Sequence, residues 1–205
     1  MKPIRPKIVV FDLGKVLLDF DYRTAVRRLL PRLSGTAEDV QRLINQSPLL
    51  FEYESGQIDN REFFRRIQAA AGYAGDFDEF AAGFAGIFTE IAPMIALHDE
   101  VRRRGFPTYI FSNTNDLAVE HIRERFPFFR HFTGYILSYE VKSMKPAPAI
   151  YEALEQLSGA RGSQIFYLDD RSENVEAAWQ RGWQGAIHVT PEESRAALQA
   201  VGVVA

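Results

Sequence analysis

The chain has 205 residues, enough for one large domain or for a core domain that carries an insertion. Its hydrophobic fraction of 46% and charged fraction of 25% are typical of folded globular proteins and exclude a disordered or fibrous chain. The formal charge of −3 provides no positive field for a polyanion, so we expect no nucleic-acid partner. The absence of cysteine excludes disulfides and cysteine-ligated zinc. No apolar run is long enough for a signal peptide or a membrane span, so we expect a cytoplasmic protein with no membrane partner.

The predicted elements begin with one strand and a long helical segment, and strands then alternate with helices. Residues 7–11 form a β-branched apolar run that suits a strand buried on both faces of a parallel sheet. From about Phe20 to Ile91 the periodicity is helical throughout. From residue 107 onwards, short apolar strands alternate with helices of ~10–15 residues, which is typical of βαβ crossovers. We therefore predict an α/β fold, a Rossmann-like three-layer sandwich with a parallel sheet, and a small helical domain inserted after its first strand.

Polar side chains stand at the ends of the predicted strands, where ligands bind in parallel sheets. An aspartate there is often only a turn former or a helix cap, and a lysine before proline is often a surface charge. Adjacent carboxylates such as Asp169 and Asp170, however, repel each other unless a cation lies between them. In chain order the candidates are Asp12 in VVFDLG, Ser112 and Asn113 in YIFSNT, Lys145 in MKPAPAIY, and Asp169 with Asp170 in IFYLDD.

Together these residue types indicate phosphoryl transfer. Three carboxylates in one crevice favour a hard divalent cation, for which Mg²⁺ is the default choice. A lysine and a small hydroxyl add donors for a dianionic group, and a carboxylate can attack phosphorus. A serine hydrolase fits less well, because neither a histidine base nor a glycine-rich elbow surrounds Ser112.

These motifs, in this order, resemble those of the haloacid dehalogenase (HAD) superfamily. The resemblance extends from Ile8 to about Val189, and the segments FDLGKVLLDFD, FSNTN, KPAPAIY and LDDRSENVEAA are most similar to the α-D-glucose-1-phosphate phosphatase-like subgroup. It implies a HAD-like catalytic core of residues 1–19 and 92–205 and a helical cap of residues 20–91.

The resemblance also implies a role for each candidate residue. Asp12 matches the nucleophile that forms an aspartyl-phosphate, and Asn174 stands where many members carry a further acid, which leaves its role open. The Mg²⁺ ligands that it implies are Asp12, the backbone carbonyl of Gly14, Asp169 and Asp170. The phosphate-binding residues that it implies are Ser112, Asn113 and Lys145, of which Lys145 is also catalytic.

Gly14 departs from the pattern of most phosphatases in this family. They usually carry a second aspartate at this position, which serves as general acid to the leaving group and then as base to the attacking water. Glycine cannot transfer a proton, although the most similar subgroup shares it. The candidate substitutes are Lys15, Asp19, Asp21 or a residue of the cap. Without a substitute, we expect a preference for good leaving groups, because general acid catalysis is worth ~10²–10⁴ in rate.

Three functions remain open at this point. The first is a Mg²⁺-dependent phosphatase acting on a small phosphorylated metabolite such as a sugar phosphate. The second, suggested by Gly14, is a catalytically weak HAD-fold protein with a binding or regulatory role. The third is a metal-free 2-haloacid dehalogenase, which the pair Asp169–Asp170 disfavours. The sequence names neither the substrate nor the oligomeric state.

Overall fold

The computed structural model describes residues 4–34, 36–45 and 47–205. Its strands are β1 (Ile8–Phe11), β2 (Leu18–Phe20), β3 (Phe88–Glu90), β4 (Thr108–Ser112), β5 (Gly134–Leu137), β6 (Ile165–Asp169) and β7 (Gln184–Ile187). Its helices are α1 (Tyr22–Leu29), α2 (Ala37–Ile44), α3 (Pro48–Glu54), α4 (Asn60–Ala71), α5 (Phe77–Ala85), α6 (Ala92–Arg103), α7 (Asp116–Arg125), α8 (Ser138–Val141), α9 (Pro148–Ser158), α10 (Ser172–Gln180) and α11 (Pro191–Ala200). Within the described ranges, no helix has the length and apolar character needed to cross a bilayer.

A five-stranded parallel sheet with the order β5-β4-β1-β6-β7 forms the centre of the molecule. All residues of β1 are buried, because successive side chains point to opposite faces and both faces are covered. Val9 and Phe11 pack with residues of α6, α7 and α11, whereas Ile8 and Val10 pack with residues of α9 and α10. The three-layer α/β fold predicted from the sequence is therefore confirmed.

The five helices α1 to α5, called the helical insert below, lie between β2 and β3 in the chain. They surround their own apolar cluster, in which the rings of Tyr53 and Phe63 stack with centroids 4.2 Å apart. The start of α4 is capped by Asp59, whose side chain accepts a hydrogen bond from the N–H of Glu62, and the helix ends at Gly72 in the left-handed conformation. Local capping and apolar burial together explain why this segment is helical.

A two-stranded antiparallel ribbon, β2 with β3, joins the helical insert to the core, and the sequence did not predict it. Leu18 pairs with Glu90, and Phe20 pairs with Phe88. The prediction of helix up to Ile91 was therefore wrong for Phe88–Glu90, which form β3. Strands of three residues are too short to show a period-two pattern against the neighbouring helical one.

A second attachment of the helical insert lies at the end of α3. The hydroxyl of Ser138, at the start of α8, donates a hydrogen bond of 2.5 Å to the carbonyl of Glu54. Gly56 has a φ of +68°, and a Cβ there would lie 2.2 Å from the carbonyl oxygen of Tyr139. Only glycine allows this close approach of the two backbones. The insert is thus fixed against the part of the core that follows β5.

Candidate active site

Asp12 lies directly after β1, the central strand, at the edge where the strands end. Asp12 is buried, with only 7% of the residue exposed, and the N–H of Leu13 donates a hydrogen bond of 2.6 Å to Oδ1. Burial raises the pKa of Asp12 to about 8; Lys145 acts to lower it, and the carboxylate of Asp169 raises it further. A cation close to Asp12 would favour the ionised carboxylate that a nucleophile requires.

Lys145 supplies one such cation from the loop before α9. Its Nζ lies 3.1 Å from Oδ1 of Asp12 and donates to Oδ2 of Asp169 at 2.6 Å. It also donates to the carbonyl of Phe111 at 2.8 Å and to the hydroxyl of Tyr167 at 3.1 Å. Burial acts to lower the pKa of Lys145, but the charges of Asp12 and Asp169 outweigh burial and raise it. The side chain is therefore a buried ammonium group that bridges two carboxylates.

Asp169, the last residue of β6, is held by several donors besides Lys145. The amide of Asn174 donates to both carboxylate oxygens, at 3.0 and 3.1 Å, and the N–H of Arg171 donates to Oδ1 at 2.8 Å. The hydroxyl of Tyr167 also donates to Oδ2. Asn174, whose role the sequence left open, thus orients Asp169. The sequence did not single out Tyr167, although its place two residues before Asp169 puts both on one face of the strand.

The carboxylates of Asp12, Asp169 and Asp170 form a candidate metal centre. Each offers an oxygen atom, and these atoms lie within 4.8 Å of one another. Burial, together with the charge of Asp169, raises the pKa of Asp170. Three carboxylates against the single ammonium of Lys145 leave excess negative charge, and an all-oxygen donor set suits Mg²⁺. Coordination of Mg²⁺ by the backbone carbonyl of Gly14 stays a prediction.

Ser112 and Asn113 follow one another at the end of β4, but their surroundings differ. The hydroxyl of Ser112 is buried and makes a long hydrogen bond of 3.4 Å to the carbonyl of Asn113. The side chain of Asn113 accepts from the N–H of Lys145 at 2.8 Å and donates to its carbonyl at 3.0 Å. The side chain of Asn113 therefore positions the loop that carries Lys145. The phosphate contact predicted for Asn113 would then be made by the backbone N–H of Asn113.

Three substitutes proposed for the missing acid at Gly14 lie in surface contacts. Lys15 and Asp19 pair with each other and are 44% and 61% exposed. Asp21 caps α1 and accepts a hydrogen bond of 2.9 Å from the N–H of Arg23. Hydrogen bonds from Lys15 and Arg23 lower the pKa values of Asp19 and Asp21, respectively. A general acid needs a pKa near the working pH, so neither aspartate suits that role.

Comparison with known proteins identifies the family. The sequence profile of the haloacid dehalogenase-like hydrolases matches residues 6–180, from two residues before β1 to the end of α10. The chain belongs to the haloacid dehalogenase-like hydrolase family. The family resemblance noted in the sequence motifs is confirmed, and so is the prediction of a hydrolase.

Similar members of the family span almost the whole chain. A D-ribitol-5-phosphate phosphatase from Bacteroides thetaiotaomicron is 25% identical over 184 residues, which cover 87% of this chain and 89% of that protein. A sesquiterpene phosphatase from Aspergillus oryzae is 26% identical over 187 residues, 90% of each chain. A HAD family enzyme from B. thetaiotaomicron, crystallised with magnesium and inorganic phosphate, superposes with a TM-score of 0.79 at 24% identity, covering 90% of this chain and 94% of its own. This HAD hydrolase therefore shares its fold over most of its length with a HAD family enzyme of known structure.

Proposed function

We propose that this HAD hydrolase is a Mg²⁺-dependent phosphatase that acts on a small phosphorylated metabolite through an aspartyl-phosphate on Asp12. The observation that carries the proposal is the cluster of Asp12, Asp169 and Asp170 around the buried ammonium of Lys145. A metal-free dehalogenase would not require the acid pair Asp169–Asp170, because it binds no metal ion. Two relatives named as phosphatases support the same reaction class.

Each residue contributes to this reaction through its position. The carboxylate of Asp12 attacks phosphorus, and Lys145 balances negative charge on Asp12 and on the phosphoryl oxygens. The buried hydroxyl of Ser112 and the backbone N–H of Asn113 bind the phosphate. Bound Mg²⁺ would supply further positive charge to the phosphoryl oxygens. The residues that would hold it are Asp12, the carbonyl of Gly14, Asp169 and Asp170.

For the substrate we propose a phosphate ester of a sugar or a related polyol. The bacterial relative is named for ribitol 5-phosphate, an ester of a primary alcohol. Such esters have poor leaving groups, so their hydrolysis depends on proton transfer to the departing oxygen.

The cytoplasmic location, and the absence of nucleic-acid and membrane partners, stay predictions from the sequence.

The decisive experiment is hydrolysis of p-nitrophenyl phosphate with and without Mg²⁺ by the wild type and by Asp12→Asn. We expect Mg²⁺-dependent turnover in the wild type and a loss of at least ~10³-fold in the variant, because an amide is a poor nucleophile. Asp19→Asn is the matched control, since Asp19 is exposed and paired with Lys15. Turnover that survives in Asp12→Asn would contradict the covalent mechanism, and halide release from a 2-haloacid without Mg²⁺ would indicate a dehalogenase.

A further inference from the structure

Glu54, the last residue of α3, lies above the ends of β4 and β5. Its carbonyl accepts from Ser138, whose hydroxyl accepts from the N–H of Thr114 at 2.9 Å. Its carboxyl group accepts a hydrogen bond from the side chain of Asn115, three residues after Ser112. The sheet places β4 beside β1, the strand of the nucleophile. Both ends of Glu54 are therefore tied to the residues that follow the phosphate-binding strand.

The surroundings of Glu54 favour a carboxyl group that can give and take a proton. Burial raises the pKa of Glu54 to about 7, and the hydrogen bond from Asn115 acts in the opposite direction. The groups that act on the Glu54 carboxyl are the phenol of Tyr22 from α1 and the amide of Asn115, whereas the hydroxyl of Ser138 binds the backbone carbonyl of Glu54. Glu54 as a whole residue remains partly exposed. A carboxyl with a pKa near neutrality can serve as an acid in one step and a base in the next.

The ring of Phe20 occupies the space beside Gly14. A Cβ at Gly14 would lie 2.8 Å from Cε1 of Phe20. The Phe20 ring packs edge-on against Tyr22, with centroids 5.5 Å apart, and the charge of Glu54 raises the pKa of the Tyr22 phenol beyond the effect of burial. Packing contacts thus lead from Gly14 through Phe20 to Tyr22, and the phenol of Tyr22 lies within electrostatic range of the Glu54 carboxylate. The helical insert thus brings a carboxyl group to the residues that follow β4, the neighbour of β1 in the sheet.

We infer that Glu54 is the general acid and base of the reaction, in place of the side chain that Gly14 lacks. The inference rests on the proposed phosphatase function. In the first step an oxygen of Asp12 bonds to phosphorus, the bond from phosphorus to the leaving oxygen breaks, and that oxygen takes the proton of Glu54. In the second step water bonds to phosphorus and gives a proton to Glu54, and the bond from phosphorus to Asp12 breaks. One ester and one water thereby yield one alcohol and one phosphate.

The test compares Glu54→Gln with the wild type on phosphate esters of graded leaving-group pKa, from 2,4-dinitrophenyl phosphate to glycerol phosphate, at saturating Mg²⁺. We expect kcat/KM of Glu54→Gln to fall by ~10²–10⁴ for glycerol phosphate and to change little for 2,4-dinitrophenyl phosphate, which needs no proton. The control is Glu52→Gln on the same helix, because Glu52 pairs with Arg66 at 2.7 Å. This control should follow the wild type across the whole series.

A second measurement needs no turnover. In protein labelled with ¹³C at the glutamate carboxyl groups, NMR titration should show a glutamate with a pKa near 7 in the wild type and in Glu52→Gln, and none in Glu54→Gln. An equal loss for all esters, no loss for glycerol phosphate, or an ordinary pKa for Glu54 would each overturn the inference. A wild type without Mg²⁺-dependent turnover would instead overturn the proposed function, so the two failures are distinguishable.

Discussion

Asp169 and Asp170 are adjacent in the chain but have different surroundings. Asp169 is fully buried and shares a salt bridge with Lys145, whereas Asp170 is partly exposed beside it. Removing one partner of a buried ion pair leaves the other charge unpaired, which typically costs ~3–5 kcal/mol. Removing Asp170 relieves repulsion between carboxylates. We therefore expect the two residues to differ in their contribution to stability.

We expect Asp169→Asn to lower the free energy of unfolding by several kcal/mol, on the order of the ~3–5 kcal/mol for a broken buried pair. Asp170→Asn should leave the free energy of unfolding unchanged or higher and should weaken Mg²⁺ binding at least ~10-fold, because an anionic ligand is lost. Urea unfolding without Mg²⁺ and calorimetric titration with Mg²⁺ measure both quantities. Equal destabilisation by the two variants would contradict this division of roles.

Several site residues could be predicted from the sequence, and others could not. Asp12 and the pair Asp169–Asp170 follow apolar strands, so local pattern and sheet topology suffice to bring them to one edge. Glu54 has no such signal, because its surroundings come from residues that lie far along the chain. Its contact with Asn115 exists only after the helical insert has docked on the core. The same holds for the side chain of Asn113, whose partner is the backbone of Lys145.

At the scale of elements, the β2–β3 ribbon limits the size of the side chain that residue 14 can carry, because Phe20 of β2 packs against Gly14. Gly14→Ala would push the new Cβ against the Phe20 ring, and overpacking of this kind typically costs ~1–3 kcal/mol. In a Phe20→Leu background the same change should cost less, because the ring has gone. A double-mutant cycle in urea measures the coupling between the two positions. Additive costs would show that Phe20 does not limit this position.

The attachment of the helical insert at Gly56 can be tested in the same way. Gly56→Ala combines a positive φ with a clash against the carbonyl of Tyr139, whereas Gly105→Ala has a positive φ and nothing within 4 Å. We expect Gly105→Ala to cost ~1 kcal/mol and Gly56→Ala to cost ~1–3 kcal/mol more. Gly56→Ala should also lower turnover, since it displaces Glu54. Equal unfolding free energies in the two variants would contradict this account of the attachment.

At the scale of the whole molecule, His98 links stability to pH. It is fully buried in α6, stacks on Phe132 with centroids 3.9 Å apart, and its Nε2 contacts the hydroxyl of Thr108 at 3.1 Å. Within the described part of the chain, its Nδ1 has no hydrogen-bond partner. Burial lowers the pKa of His98 to about 4, whereas the unfolded chain has the ordinary value near 6.5. The folded state therefore resists protonation of this ring.

This gap in pKa predicts a loss of stability in acid. Above pH ~6.5 the ring is neutral in both states, and between pH ~6.5 and ~4 the unfolded state alone takes up the proton, which lowers the free energy of unfolding by about 3 kcal/mol. His98→Phe keeps the stacked ring and should remove this component from the pH dependence. The exposed His131→Phe is the control. An identical pH dependence in His98→Phe and the wild type would contradict the assignment.

The position of β1 in the sheet has a consequence for the order in which the molecule folds. β1 pairs with β4 and β6, where Val9 lies opposite Thr108 and Ile8 lies opposite Ile165. Contacts between such distant parts of the chain require closure of long loops, which slows folding. The helical insert, in contrast, draws its apolar cluster almost entirely from its own residues and can form earlier. During synthesis Asp12 leaves the ribosome well before Lys145, Asp169 and Asp170, and it acquires these neighbours only after they have followed.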